Sequence, residues 1–97
     1  MIRHVVLLSW KEGTSRQAID AVSVELASLA SEISEIRSYT FGPDVGVYRG
    51  NASYALVADF DSIEDLKGYV MHPKHQEFLS RVSGPILESF QCAQFIC

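Results

Sequence analysis

Residues Ile2–Trp10 read IRHVVLLSW and are apolar at both parities of an extended chain: Ile2, Val6, Leu8 and Trp10 project to one side, Val5 and Leu7 to the other. Successive side chains of a strand point to opposite faces of its sheet. A strand that is apolar on both sides is therefore covered on both sides. Whatever this chain folds into must place a layer over each face of its first strand.

One layer is legible immediately downstream. Lys11 to Thr14 form a turn around Gly13, and Thr14 or Ser15 is placed to cap a helix. Ile19, Val22, Leu26, Leu29 and Ile33 then recur at steps of 3, 4, 3 and 4, an amphipathic helical stripe, with Arg16, Asp20, Ser23, Ser28 and Glu32 on the other side. Residues 36–41 predict a second strand, and Gly42, Pro43, Asp44, Gly46 and Gly50-Asn51 an irregular stretch ending in a turn. Tyr54, Leu56, Ala58 and Phe60 share one face of a third strand, and Ala55 and Val57 the other. Ser62 with Asp65 is a capping-box signature for a second helix, which Pro73 ends; a further helical piece is expected over residues 73–82, broken by Ser83-Gly84-Pro85. Residues 89–96 complete the chain as a strand with Phe90, Cys92 and Ile96 on one parity and Ala93 and Phe95 on the other.

The order is β-α-β-β-α-β, with the second helix broken. This is the split βαβ pattern of an α+β, ferredoxin-like fold, a four-stranded antiparallel sheet with helices on one face. The 97 residues are expected to form a single domain, residues 1–97. The helix-free face keeps Val5, Leu7, Val57 and Phe95, an apolar surface that calls for a partner, and a second copy packed sheet to sheet is the simplest one.

Composition narrows the function classes. The formal net charge is −4 and there is no basic run, which argues against nucleic acid and against an anionic membrane surface. No apolar run approaches the roughly 20 residues of a membrane span. The N-terminal MIRHVVLLSW mimics a signal peptide but lacks a small-residue cleavage site, so it reads as a strand. Two cysteines, Cys92 and Cys97, do not make a disulfide framework, and a reducing, cytoplasmic setting is expected. No glycine-rich phosphate loop, haem motif or zinc motif is present, and no cofactor or metal is expected.

Chemistry concentrates in Tyr69-Val70-Met71-His72-Pro73-Lys74-His75. Pro73 stops one helix and starts the next. His75 then lies on the apolar face of that next piece, with Phe78, Leu79 and Val82 at i+3, i+4 and i+7. The third histidine, His4, shares a strand face with Val6 and Leu8. An imidazole titrates near neutrality and can take or give a proton; a tyrosine hydroxyl can hold a carbonyl or enolate oxygen.

Three segments together resemble the stress-responsive α/β-barrel (Dabb) family of the dimeric α/β-barrel superfamily: Arg3-His4-Val5-Val6, Phe60-Asp61-Ser62-Ile63-Glu64-Asp65-Leu66, and Tyr69-x-x-His72-Pro73-x-His75. The last is the specific signal, and the resemblance spans essentially the whole chain. It implies a ferredoxin-like protomer and a homodimer whose two sheets form a barrel. Most members have no assigned activity. One characterised member is a plant polyketide cyclase that performs a cofactor-free aldol condensation, and its tyrosine and histidine match Tyr69 and His75, with a further pocket histidine matching His4. That cyclase lines its pocket with aromatic residues of the first helix, where this chain has Ile19, Val22 and Leu26.

Three readings follow from these residues. The first is a cofactor-free enzyme of cyclase or lyase type, with a small hydrophobic carbonyl compound held between sheet and helices. In it His75 is the base and Tyr69 the hydrogen-bond donor, and His4, Val6, Leu8, Ile19, Val22, His72 and Phe78 line the pocket. The second is a non-catalytic dimeric barrel, structural or ligand-binding, in which His4 is a hydrogen-bonded core histidine and His72 a helix cap. The third is a cofactor-free monooxygenase. A three-histidine metal site of His4, His72 and His75 is disfavoured because Pro73 disrupts the helical spacing between the last two. Elsewhere, Asp59 and Asp61 are expected to face water, Cys92 to be a small core residue, and Trp10 to be ordinary packing.

Overall fold

The structure, a computed structural model, describes residues 1–97. Strand β1 (Ile2–Trp10) is followed by helix α1 (Arg16–Glu32), strands β2 (Ser38–Pro43) and β3 (Tyr54–Phe60), helices α2 (Ile63–Met71) and α3 (Pro73–Phe78), and strand β4 (Leu87–Ile96). Between α3 and β4 the chain winds into a π-helical turn, Leu79–Ser83, and a 3₁₀ turn, Gly84–Ile86. The four strands form one antiparallel sheet in the order β2-β3-β1-β4, the ferredoxin-like arrangement expected from the pattern.

Each helix starts where a side chain satisfies its first backbone N–H groups. The hydroxyls of Ser15 and Ser62 accept from the N–H of Ala18 and Asp65, both at 3.1 Å. At α3 the capping group is the His72 imidazole, whose Nδ1 accepts from the Lys74 N–H at 3.1 Å. The apolar stripe of α1 then buries Val22, Leu26, Leu29 and Ile33 against Tyr54, Ala58 and Phe60 of β3, with Tyr69 and Phe78 closing the cluster. Complete burial of one such aliphatic side chain contributes about 1.5–3 kcal/mol, and this layer is the main source of stability. None of the helices is long and apolar enough to cross a membrane.

The register assigns the faces. His4 pairs with Ala58 on one side and Gln94 on the other, and Val6 with Leu56 and Cys92, so these point toward the helices. Arg3, Val5 and Leu7 point the other way, with Val57, Asp59, Ala93 and Phe95. The helices lie over β2, β3 and β1 and leave β4 largely uncovered. Leu7 and Phe95 on the helix-free face are 42% and 51% exposed, leaving the second covering layer of β1 unfilled within one protomer.

Five local expectations change. Strand β2 begins at Ser38 rather than residue 36, because Ile33–Ile36 closes a turn behind α1, the Ile36 N–H donating to the Ile33 carbonyl at 3.2 Å. The helical piece after Pro73 ends at Phe78. From there each turn takes an extra residue, and the Gly84 N–H donates five residues back to Leu79. A Cβ on Gly84 would collide with that same Leu79 carbonyl oxygen, so only glycine fits the exit of this turn. Cys92 is exposed rather than in the core, since no helix covers β4. Asp59 does not face water: it is buried and takes a two-pronged bond from Arg3, Nε at 2.8 Å and Nη2 at 2.9 Å. Ser23 is not on the solvent side of α1; its hydroxyl bonds the buried Tyr54 hydroxyl at 2.7 Å.

Candidate functional site

The break at Pro73 turns α3 back over the end of α2, and five rings meet on the helix face of the sheet. The Tyr69 ring lies 4.4 Å from His75, 5.1 Å from Phe60, 5.9 Å from Tyr39 and 6.2 Å from His4, centroid to centroid. Tyr69 is 1% exposed, His4 8% and His75 9%. Phe78 stacks on His75, with ring centroids 6.4 Å apart. His4, Tyr69 and His75, from the two ends of the sequence, thus form one cluster.

Hydrogen bonds fix the ring states. The Val70 carbonyl lies 2.9 Å from His75 Nδ1, and a carbonyl only accepts, so in the neutral ring Nδ1 carries the hydrogen and Nε2 the lone pair. His75 Nε2 has no partner, yet Trp10 Nε1 is the only fully buried side-chain nitrogen or oxygen without one. His75 Nε2 therefore keeps contact with solvent. The Tyr69 and Tyr39 hydroxyls meet at 2.6 Å, one donating to the other.

Burial shapes the titration of the cluster. It holds His75 below the ordinary imidazole value, an effect partly opposed by the bond to Val70 and reinforced by the electrostatic influence of nearby His72. His4 is lowered by burial first and then by His75. Both rings are thus neutral at pH 7. Burial pushes Tyr69 up to about 12, with the Tyr39 hydroxyl acting in the other direction. Tyr39 is raised further, by burial and then by Tyr69. The cluster therefore holds an imidazole base that is neutral and ready to accept, beside a phenol that keeps its proton.

The remaining expected site residues divide. Val22 is 0% exposed and wholly inside the core, and Phe78 is 5% exposed. Val6, Leu8 and Ile19 are half-buried, with Leu8 and Ile19 packed against the core cluster. His72 caps α3 through its Nδ1; no three histidine, cysteine or carboxylate side chains converge with metal-ligating geometry. Among the surface depressions, one of about 150 Å³ lies between α1 and α3, with Leu29, Glu32, Lys74 and Phe78 in its wall. Its wall carries the Lys74–Glu32 ion pair at 2.7 Å, and His75 is not part of its lining. Another, about 340 Å³, lies on the helix-free side against Leu7, Ser9 and Phe90.

Two members of the cluster were not singled out from sequence. Tyr39 shares the parity of Phe41 on β2, a signal that becomes readable once Tyr39 is paired with Ala58. Gln94 stands opposite His4 in the register, with its amide nitrogen 2.9 Å from His4 Nδ1. Strand pairing carries that signal, and a linear pattern does not.

A ferredoxin-like sandwich with a histidine-tyrosine cluster under its broken second helix defines the class. The chain belongs to the stress responsive A/B barrel domain family, whose model matches residues 2–97. It is 29% identical over 87 residues to the stress-response A/B barrel domain-containing protein HS1 of Arabidopsis thaliana, covering 88% of this chain and 80% of that one. A dimeric ferredoxin-like protein from Thermobifida fusca superposes with a TM-score of 0.91 at 32% identity, over 99% of this chain and 90% of the other. A hydroxynitrile lyase from Passiflora edulis shares the fold, with a TM-score of 0.85 at 23% identity, over 99% and 92% of the two chains. Several of the similar structures are dimeric.

Proposed function

We propose that this protein is a homodimer that binds a small hydrophobic carbonyl compound at the Tyr69–His75 cluster and moves a proton there without a cofactor. The observation that carries this reading is the state of His75: buried, neutral, held at Nδ1 by the Val70 carbonyl, and left with an unpartnered Nε2 in reach of solvent. That ring packs against the Tyr69 phenol at 4.4 Å between centroids. In this reading Nε2 removes an acidic proton next to a carbonyl, and Tyr69 donates to the oxygen on which charge develops. When Tyr69 turns its hydrogen to the ligand, Tyr39 donates to Tyr69 and keeps that oxygen paired.

The same groups suit a lyase step. His75 Nε2 would take the hydroxyl proton of a cyanohydrin, the O–H electrons would form the carbonyl, and cyanide would leave with the carbon–carbon bond pair and then take the proton from the imidazolium. The hydroxynitrile lyase of like fold makes this a reaction to try alongside aldol chemistry. A second reading, a non-catalytic barrel, is favoured by the packing around Tyr69, which is 1% exposed. Solvent deuterium exchange into phenylacetone, followed by ¹H NMR, together with cleavage of mandelonitrile, separates them. The expected result is catalysis of at least one by the wild type and its loss in His75→Ala with the fold retained. No catalysis of either, or equal rates in His75→Ala, favours the non-catalytic barrel.

A further inference from the structure

His4 and His75 both pack against Tyr69, with opposite hydrogen-bonding character. Gln94 Nε2 approaches His4 Nδ1 at 2.9 Å, and an amide NH₂ only donates. A neutral His4 must therefore offer its lone pair at Nδ1 and carry its hydrogen at Nε2. His75 is set the other way, with its hydrogen on Nδ1 and its lone pair on Nε2. Like His75 Nε2, His4 Nε2 makes no hydrogen bond and is not sealed from solvent. The cluster thus presents one free donor, His4 Nε2–H, and one free acceptor, His75 Nε2, on two rings packed against the same phenol.

We propose that Gln94 is a positioning residue, fixing His4 as the Nε2–H tautomer so that His4 gives a ligand oxygen a second hydrogen bond while His75 accepts the proton. Cross-strand geometry supports this. His4 and Gln94 are directly opposed on the same face of neighbouring strands, so the amide is held by backbone pairing rather than by a flexible loop. Gln94 sits on the part of β4 that no helix covers, and its amide bonds His4. Two donors and one acceptor select a neutral compound with an oxygen acceptor beside an acidic C–H or O–H. The ligand half of the proposal rests on the carbonyl-site reading; the tautomer half does not.

The test is a long-range ¹H–¹⁵N correlation spectrum of uniformly ¹⁵N-labelled protein, recorded well above the ordinary histidine pKa, with His4 signals identified by their absence from His4→Phe. Wild-type His4 is expected as the Nε2–H form. Gln94→Glu should move the hydrogen to Nδ1, because a carboxylate only accepts, and Gln94→Leu should leave averaged signals from both tautomers. His75 should stay the Nδ1–H form in all three. The proposal is overturned if wild-type His4 carries its hydrogen on Nδ1, or if its tautomer is the same in wild type, Gln94→Glu and Gln94→Leu. In the phenylacetone exchange assay Gln94→Leu should lose about 10-fold in rate through the disordered donor. If the tautomers switch as described but wild type exchanges nothing, the carbonyl-site reading fails and the positioning of His4 by Gln94 stands.

Discussion

The Tyr39–Tyr69 hydroxyl pair offers a quantitative test of how the cluster is built. The two oxygens are 2.6 Å apart, and burial raises the pKa of both. Tyr69→Phe removes one hydroxyl and leaves the Tyr39 hydroxyl without its partner; Tyr39→Phe does the converse. An abandoned buried hydroxyl costs about 1–3 kcal/mol, whereas removing both partners of such a bond is nearly neutral. Each single variant should therefore lose about 2 kcal/mol, and the double variant should lie within about 1 kcal/mol of wild type. For a domain near 100 residues each kcal/mol moves Tm by roughly 4–8 °C, so the singles should melt roughly 8–16 °C lower. Thermal and urea unfolding of the four proteins at one fixed protein concentration measures this, since a dimer's Tm depends on concentration. Singles whose losses simply add in the double variant would refute the claim that the hydroxyls satisfy each other.

Further expectations follow from the same structure. His4 and His75 are lowered in the folded state, so folding favours their neutral forms. Their contribution is complete above the unfolded value of about 6.5 and is lost as pH falls below it, because the unfolded chain then binds more protons. Tm should decline between about pH 6.5 and 5, and the decline should shrink in His75→Phe; a flat Tm through that window contradicts the burial of both rings. Gly84→Ala should cost about 1–3 kcal/mol by urea unfolding, since its Cβ meets the Leu79 carbonyl oxygen at the end of the π turn. A variant as stable as wild type would show that the turn is not constrained there. Val57→Lys on the helix-free face should yield monomers in analytical ultracentrifugation, and an unchanged dimer would place the interface elsewhere.

Strong local periodicity was readable in the sequence, and features that depend on long-range pairing were not. The stripe Val22, Leu26, Leu29 and Ile33 set α1, alternation set β1 and β3, and Ser62 and Pro73 bounded α2. Strand β2 slipped because Ile36 is apolar for its place in a turn, and apolarity alone cannot separate a turn residue from a strand residue. The π turn has no sequence period of its own; only Gly84 hinted at it, as a helix breaker. Asp59 looked solvent-facing because Arg3 lies 56 positions away in the chain. Cys92 looked buried because alternation reports a face and not whether a helix reaches over it. In the cluster, Tyr69 and His75 stood out through their spacing about Pro73. Tyr39 and Gln94 required the register, which places one beside Ala58 and the other beside His4.

The central claim is that a small carbonyl compound reaches His75. The direct measurement is a titration of labelled protein with phenylacetone, following the ring signals of all three histidines by NMR. Saturable shifts are expected at His75 and His4, with His72, the cap of α3, unmoved. Shifts confined to His72, or none at any histidine up to the solubility of the probe, would contradict that claim.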